Sequence, residues 1–425
     1  MESYRVRKGS TEVLDTVKGD LIIEGSATIK AKTDTLQILG EIRVMEGTVT
    51  FDGGVVAQAL IGEDCKVTFT KSLQLTKVEL EDASLTVLGD LIVSDEVEIE
   101  DGSLDVRGNA KSKLFNIDNR LTIGGNIAAE KISIGGQAEI SGETVAEEIL
   151  IGGSFSANGI VRAGTLSVGG SVDLRSDAFI DVLEVGGKAN TKGGEIKLIK
   201  IGGTFNGDGN LKFEKIQVGG KLTLRGNPIG GTIIVGGLAK IDANIQFNKI
   251  NVGGTVKING NGTGESINVG GSLSVNGDLK LTNKLDIGGT GRISGNLSAE
   301  EISVGGTLES LKVSATNVNI GGKISAEKGI KAVKVEIGKK GRIVGPVVAE
   351  HVRIRKGAKT ELIYASEIIV ERKAETGALY GKRITLEDCT VNGEVLYTEN
   401  LESKGNVKFR IPPRKVDNLP QPPIE

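Results

Sequence analysis

Leu166-Ser-Val168-Gly-Gly-Ser-Val172-Asp-Leu174 decides the fold, because the chain repeats it. Leu183-Glu-Val185-Gly-Gly-Lys-Ala189, Ile216-Gln-Val218-Gly-Gly-Lys-Leu222-Thr-Leu224 and Ile267-Asn-Val269-Gly-Gly-Ser-Leu273-Ser-Val275 carry the same pattern. Each begins aliphatic, polar, aliphatic, the period-2 mark of a strand with one buried face. A glycine pair follows, a corner that tolerates φ > 0, and then a second short alternation. A third apolar pair, such as Leu211/Phe213 or Leu279/Leu281, completes the unit.

Working outward, aliphatic-Gly-Gly places its first glycine at 135, 152, 169, 186, 202, 219, 236, 253, 270, 288, 305 and 321, a nearly constant step. A fixed period this short means one chain coiling on itself rather than a globular core. Three strands and three corners per repeat predict a parallel β-helix, all-β and triangular; right-handed winding is preferred by the general rule for parallel crossovers, with the left-handed hexapeptide helix as the rival. Each strand pairs with its copy one winding on, roughly 4.8 Å away, so aliphatic residues stack into internal ladders, a role that suits Ile and Val. Helical repeats are excluded because nothing recurs at i, i+3, i+4, i+7 and glycine destabilises helix interiors.

The phase continues beyond the glycine pairs through Val335/Ile337, Val352/Ile354, Ile368/Val370 and Ile384/Leu386. Upstream it is less regular. Gly124 and Gly135 stand closer together than one full repeat, which reads either as a joint between two solenoid blocks or as one shortened winding. The expected organisation is an irregular solenoid block over 1–119, the regular Gly-Gly solenoid over 120–322, further windings over 323–411 and a Pro-rich tail over 412–425. About 23 windings between Leu21 and Ile411 predict a rod on the order of 110 Å long. Five of the seven prolines lie in the tail, where the ladder is expected to stop because proline cannot donate to it.

Composition narrows function. Glycine is 62 of 425 residues, aromatics are 3% and tryptophan is absent, which argues against the stacking platforms of single-stranded nucleic-acid binders; no nucleic-acid partner is expected. No stretch is long and apolar enough to span a membrane, and residues 1–10 lack the apolar run of a secretory signal; a cytoplasmic location, with membrane association as a further option, is the expectation. Cys65 and Cys389 are too far apart in such a coil to pair, and are read as inert thiols. No phosphate loop occurs, since Gly220-Lys221 is followed by Leu222, and no cofactor or metal site is expected. His351, the only histidine, is weighed as an acyltransfer base but reads as a surface residue. The near-constant repeat length leaves no lid loops, and the chain is read as not being an enzyme.

Charge is lopsided although the net value is −3. An acidic stretch holds Glu79, Glu81, Asp82, Asp95, Glu96, Glu98, Glu100 and Asp101; a basic one holds Lys339, Lys340, Arg342, Arg353, Arg355, Lys356 and Lys359. In register, Lys339 stacks with Lys356 and Arg342 with Lys359. These stretches are either solvated faces or contact surfaces for a neighbouring rod or an anionic membrane. The tail is a second candidate docking element for a protein partner.

Ile337-Gly-Lys-Lys-Gly-Arg-Ile-Val-Gly-Pro-Val-Val-Ala-Glu-His-Val-Arg-Ile354, Gly381-Lys-Arg-Ile-Thr-Leu-Glu-Asp-Cys-Thr-Val-Asn-Gly-Glu-Val395 and Gly295-Asn-Leu-Ser-Ala-Glu-Glu-Ile-Ser-Val304 resemble the bactofilins, polymer-forming cytoskeletal proteins. The resemblance implies a right-handed triangular β-helix joining end to end into nucleotide-free filaments. This chain is several times longer than a bactofilin core and richer in Gly-Gly. The expected partner is therefore the chain itself, with Leu21, Ile22, Ile23, Leu401, Val407 and Phe409 as candidate end contacts, because a terminal winding exposes unpaired backbone groups above an apolar core. A monomeric scaffold or binding rod and a surface adhesin-like solenoid are the alternatives.

Overall fold

The computed structural model describes residues 3–423, and all its regular elements there are β-strands in parallel pairing. The chain divides into two units, Met1–Phe213 and Glu214–Glu425, and each is a β-solenoid with the repeat expected from the glycine spacing.

In the first unit the strand Val161–Val168 pairs with Ala178–Val185, Val161 on Ala178 and Leu166 on Leu183, while Ser171–Leu174 pairs with Lys188–Thr191. Three faces result, but only two strands per winding. Val161–Val168 bends at Gly164, which the register skips, and so lies along two faces without losing its pairing. Thus the third expected strand is the first half of a bent one. The second unit repeats this with Ile245–Val252, Thr255–Ile258 and Gly262–Val269. The ladders are dry: Leu166, Leu183 and Ile199 are fully buried, as are Ile233 and Ile250.

The glycine pairs serve a purpose other than the expected one. Their φ values are not positive; left-handed glycines occur elsewhere, for example Gly25 and Gly345. What excludes a side chain is stacking. A Cβ on Gly169 would lie 2.3 Å from the carbonyl oxygen of Gly152, and one on Gly186 2.3 Å from that of Gly169. At these corners successive backbones lie so close that only hydrogen fits, and the approach is looser at Gly253 and Gly321.

The phase ambiguity near 124–135 resolves into neither expected form. Leu114–Ile117 pairs with Lys131–Ile134 and Arg120–Ile123 with Gln137–Ile140, each one full winding on. The Gly124 amide donates to the Val106 carbonyl and the Gly135 amide to that of Ile117. They occupy two different corners of one uninterrupted coil. The corner of Gly125 carries a stair of side-chain acceptors: Asp90 Oδ1 takes the Asn109 amide, Asn109 Oδ1 the Asn126 amide and Asn126 Oδ1 the Glu143 amide. In the second unit Asn244, Asn261 and Asp278 do the same. These side chains satisfy amides where the backbone turns.

Nearer the N-terminus the windings widen. Leu21, Ile42, Leu60, Val78, Val97 and Phe115 stack in succession, at steps longer than the usual step of the Gly-Gly region. The surplus is taken up by register shifts between Lys30 and Thr35 and between Val93 and Glu96. Phe51 and Phe69 stack in the core there, 4.6 Å between ring centroids.

Candidate functional site

The expected end contacts divide between one winding that is covered and one that is not. Tyr4–Val6 lies on Leu21–Glu24, with Tyr4 on Leu21, Arg5 on Ile22 and Val6 on Ile23. Leu21 and Ile23 are fully buried. They belong one winding inside the edge, which is a correction. Tyr-Arg-Val is an alternation too short to be read as a strand. The edge winding consists of Tyr4–Val6, Thr11–Leu14 and Thr16–Val17.

Within that winding Glu12 stands over Ile29 and Val13 over Lys30. Ile29 is fully buried and Val13 is 60% exposed. At this pair the acid takes the core-facing position and the aliphatic points to solvent, while Leu14, over Ala31, shares the face of Glu12. The Tyr4 hydroxyl donates to Glu12 Oε2 at 3.3 Å. Burial, then the Glu12 charge and that hydrogen bond, raise the Tyr4 phenol above its usual range.

At the other end the candidate residues do lie in the last described windings. Leu401 follows Ile384 in register and Phe409 follows Val391. Ile384 and Val391 are at most 1% exposed, whereas Leu401, Val407 and Phe409 are only half-buried. The ladder does not stop at the prolines as expected. Arg414–Lys415 pairs in parallel with Leu396 and Tyr397, and the Val416 amide donates to the Tyr397 carbonyl at 2.9 Å. Pro412 and Pro413 fall between two strands, where no ladder donor is required. Arg414 is ion-paired with Glu394, which also accepts from the Tyr380 hydroxyl. The last two residues of the expected 412–425 tail lie outside the described residues.

The two charged stretches are partly neutralised between windings. Arg353 pairs with Glu371 at 2.8 Å, Arg355 with Glu336 and Lys359 with Glu375 at 2.9 Å. Desolvation alone would raise the Glu371 carboxyl; hydrogen bonds from Arg353 and the Lys356 amide, with the Arg353 and Arg355 charges, outweigh it and hold it below the usual range. Arg342 and Lys359 are bridged, as the expected register requires. In the acidic stretch Lys77 lies between Glu79 at 3.2 Å and Glu96 at 3.0 Å; hydrogen bonds to Glu96 and then Glu79 push its ammonium up to about 12. Asp95 pairs with Lys113 at 3.1 Å. Glu79, Glu81, Glu98 and Glu100 line one side of a shallow groove of about 280 Å³ with Arg43 and Met45. Asp82 and Asp101 occupy left-handed corners at φ 47° and 45°. Lys77 and Lys113 flank the acidic stretch in space through the one-winding register, a proximity visible only once that register is known.

His351 is exposed and its Nδ1 lies 2.9 Å from Glu367 Oε2, its register partner on the next winding. A more open groove of about 730 Å³ runs past Arg342, Lys359, Glu375 and Tyr380, and His351 does not line it. Both cysteines are free and buried; burial, with a smaller push from the neighbouring aspartate, raises each thiol to about 11. Among the described residues no helix is long and apolar enough to cross a membrane. Compared with protein-family models, curated proteins and solved structures, the chain matches none.

Proposed function

We propose that this chain is a structural protein, not an enzyme: a β-solenoid that self-associates through its end windings into longer, bactofilin-like assemblies, without a nucleotide. The observation that carries this reading is the half-buried apolar set Leu401, Val407 and Phe409, continuous with ladders that are otherwise closed. Above it the strand Val395–Lys404 presents backbone groups along Asn400–Lys404 that have no further strand among the described residues. An unpaired edge over apolar side chains is a template for another chain. A second copy supplies both the hydrogen bonds and the apolar cover. The charged columns act more weakly, as lateral contacts with other copies or with an anionic membrane.

Sedimentation velocity and electron microscopy of the purified chain test this directly. Species larger than one chain should appear with rising concentration, and neither ATP nor GTP should change their onset. A chain that stays monomeric throughout overturns the reading in favour of a solitary scaffold.

A further inference from the structure

On the flat faces of each unit, register partners of opposite sign meet. Lys131 stands on Glu148, Glu184 on Lys200 and Arg292 on Glu309, and each couple is an ion pair. The corner that carries the glycine pairs departs from this rule. In the second unit, the windings that follow Gly321 and Gly322 place Lys339 and Lys340, then Lys356, then Arg372 and Lys373 at that corner. The Lys340 amide donates to the Lys356 carbonyl and the Gly357 amide to that of Arg372. In the first unit, the windings that precede Gly135 place acids there. Glu63 stands on Glu81 and Glu81 on Glu100, each followed by an aspartate, and the Asp101 amide donates to the Asp118 carboxylate. A Cβ on Gly135 would meet the Asp118 carbonyl oxygen at 2.4 Å, so the acidic column runs directly into the glycine corner. All these charged side chains are exposed, and among the described residues only Arg372 forms an ion pair, with Glu387.

Like charges directly opposite in neighbouring strands destabilise the pair. Each corner is therefore relieved by a column of opposite sign laid along it. We propose that the basic corner of the second unit docks along the acidic corner of the first unit in another copy of the chain. This names the partner of the lateral contacts in the assembly reading and rests on that reading, though not on the end windings. Both columns advance by one winding, roughly 4.8 Å, per step, so they match charge to charge over several windings. A second copy satisfies both corners in one contact. An anionic bilayer would satisfy the basic corner alone and repel the acidic one. Exposed pairs are individually weak and screened by salt, so the contact is salt-sensitive.

The test uses the full chain and two reversed variants at about 0.1 and about 0.5 M salt, read by sedimentation velocity with circular dichroism as the folding control. One variant carries Lys339→Glu, Lys340→Glu, Lys356→Glu and Lys373→Glu; the other carries Glu63→Lys, Glu81→Lys and Glu100→Lys. The parent should form a species at the lower salt that is lost at the higher. Each variant alone should lack it, and mixing the two variants should restore it, because one keeps the acidic corner and the other the basic. If a reversed variant loses its β spectrum, the same positions changed to glutamine decide by loss of that species. A salt-sensitive species that persists in both variants, or that mixing fails to restore, overturns the corner pairing and leaves the end contact standing. So does a parent whose associated species are the same at both salts. Phosphatidylserine vesicles bound by the parent and not by the Lys→Glu variant, with no restoration on mixing, overturn the pairing in favour of a membrane contact. A parent that is monomeric at both salts overturns the pairing and the assembly reading together.

Discussion

Thr144 stands in the core between Ile127 and Val161 in register, fully buried, and its hydroxyl has no partner. An unpaired buried hydroxyl costs about 1–3 kcal/mol. Thr144→Val fits the aliphatic ladder on both sides and should raise stability by about 1 kcal/mol, read from the denaturant midpoint; an unchanged or lower midpoint would show that the hydroxyl is satisfied. The reverse case is Val218, 3% exposed, where Val218→Asp should cost several kcal/mol by burying an unpaired charge. The thiols add a pH dependence. Their ordinary value is near 9 and the folded value about 11. The unfolded state therefore loses these protons first, and stability should fall as pH rises from about 9 until the folded thiols also ionise. Denaturant midpoints at pH 8 and pH 10.5 should converge in a Cys65→Ala, Cys389→Ala double variant relative to the parent.

At the scale of the winding, the glycine corner makes the sharpest demand. Gly169→Ala sets a methyl 2.3 Å from the Gly152 carbonyl oxygen, a contact that backbone alone must relieve, whereas at Gly253 the nearest atom, the Gly236 oxygen, is 3.2 Å away. Gly169→Ala should therefore destabilise by several kcal/mol and Gly253→Ala by distinctly less. Equal midpoints for the two variants would mean that the corners are held by conformational freedom and not by close approach. This part of the fold was readable as a period but not as a mechanism. The spacing of Gly152, Gly169 and Gly186 announces a recurring corner, while the distance between successive corners exists only after the windings stack. Gly124 and Gly135 show the same limit: two corners of one coil look alike along the chain, and only the partners Val106 and Ile117 tell them apart.

At the scale of the molecule, the assembly contact and the surface charges should respond differently to salt. The proposed contact at Leu401, Val407 and Phe409 would rest on strand pairing and apolar burial. The ion pairs between windings are exposed, each worth about 0–1 kcal/mol, and they already pair Arg353, Arg355 and Lys359 within the chain. Raising salt from about 0.1 to 0.5 M, which shortens the Debye length from about 10 Å, should leave end-joined species in place and dissolve any lateral bundling or vesicle adsorption. Reversing Lys339, Lys340, Arg342 and Lys356 to glutamate should abolish the salt-sensitive part alone. Loss of end-joined species at high salt in sedimentation would place the main contact on the charged faces instead.

The sequence by itself determined that the chain coils. Its i, i+2 aliphatic pairs recur at a nearly constant step from Ile132/Ile134 to Ile384/Leu386, and a period of that length with alternating burial has one physical solution. It also exposed the charged stretches, because these are local in the chain. The tertiary structure alone decided which winding is the edge, that Glu12 faces the core while Val13 faces water, that the ladder resumes after Pro413, and that Arg353 and Arg355 find their acidic partners one winding away. Each of these depends on inter-winding register. Register is set by where each corner spends its residues, and a one-residue change there turns a side chain from core to solvent.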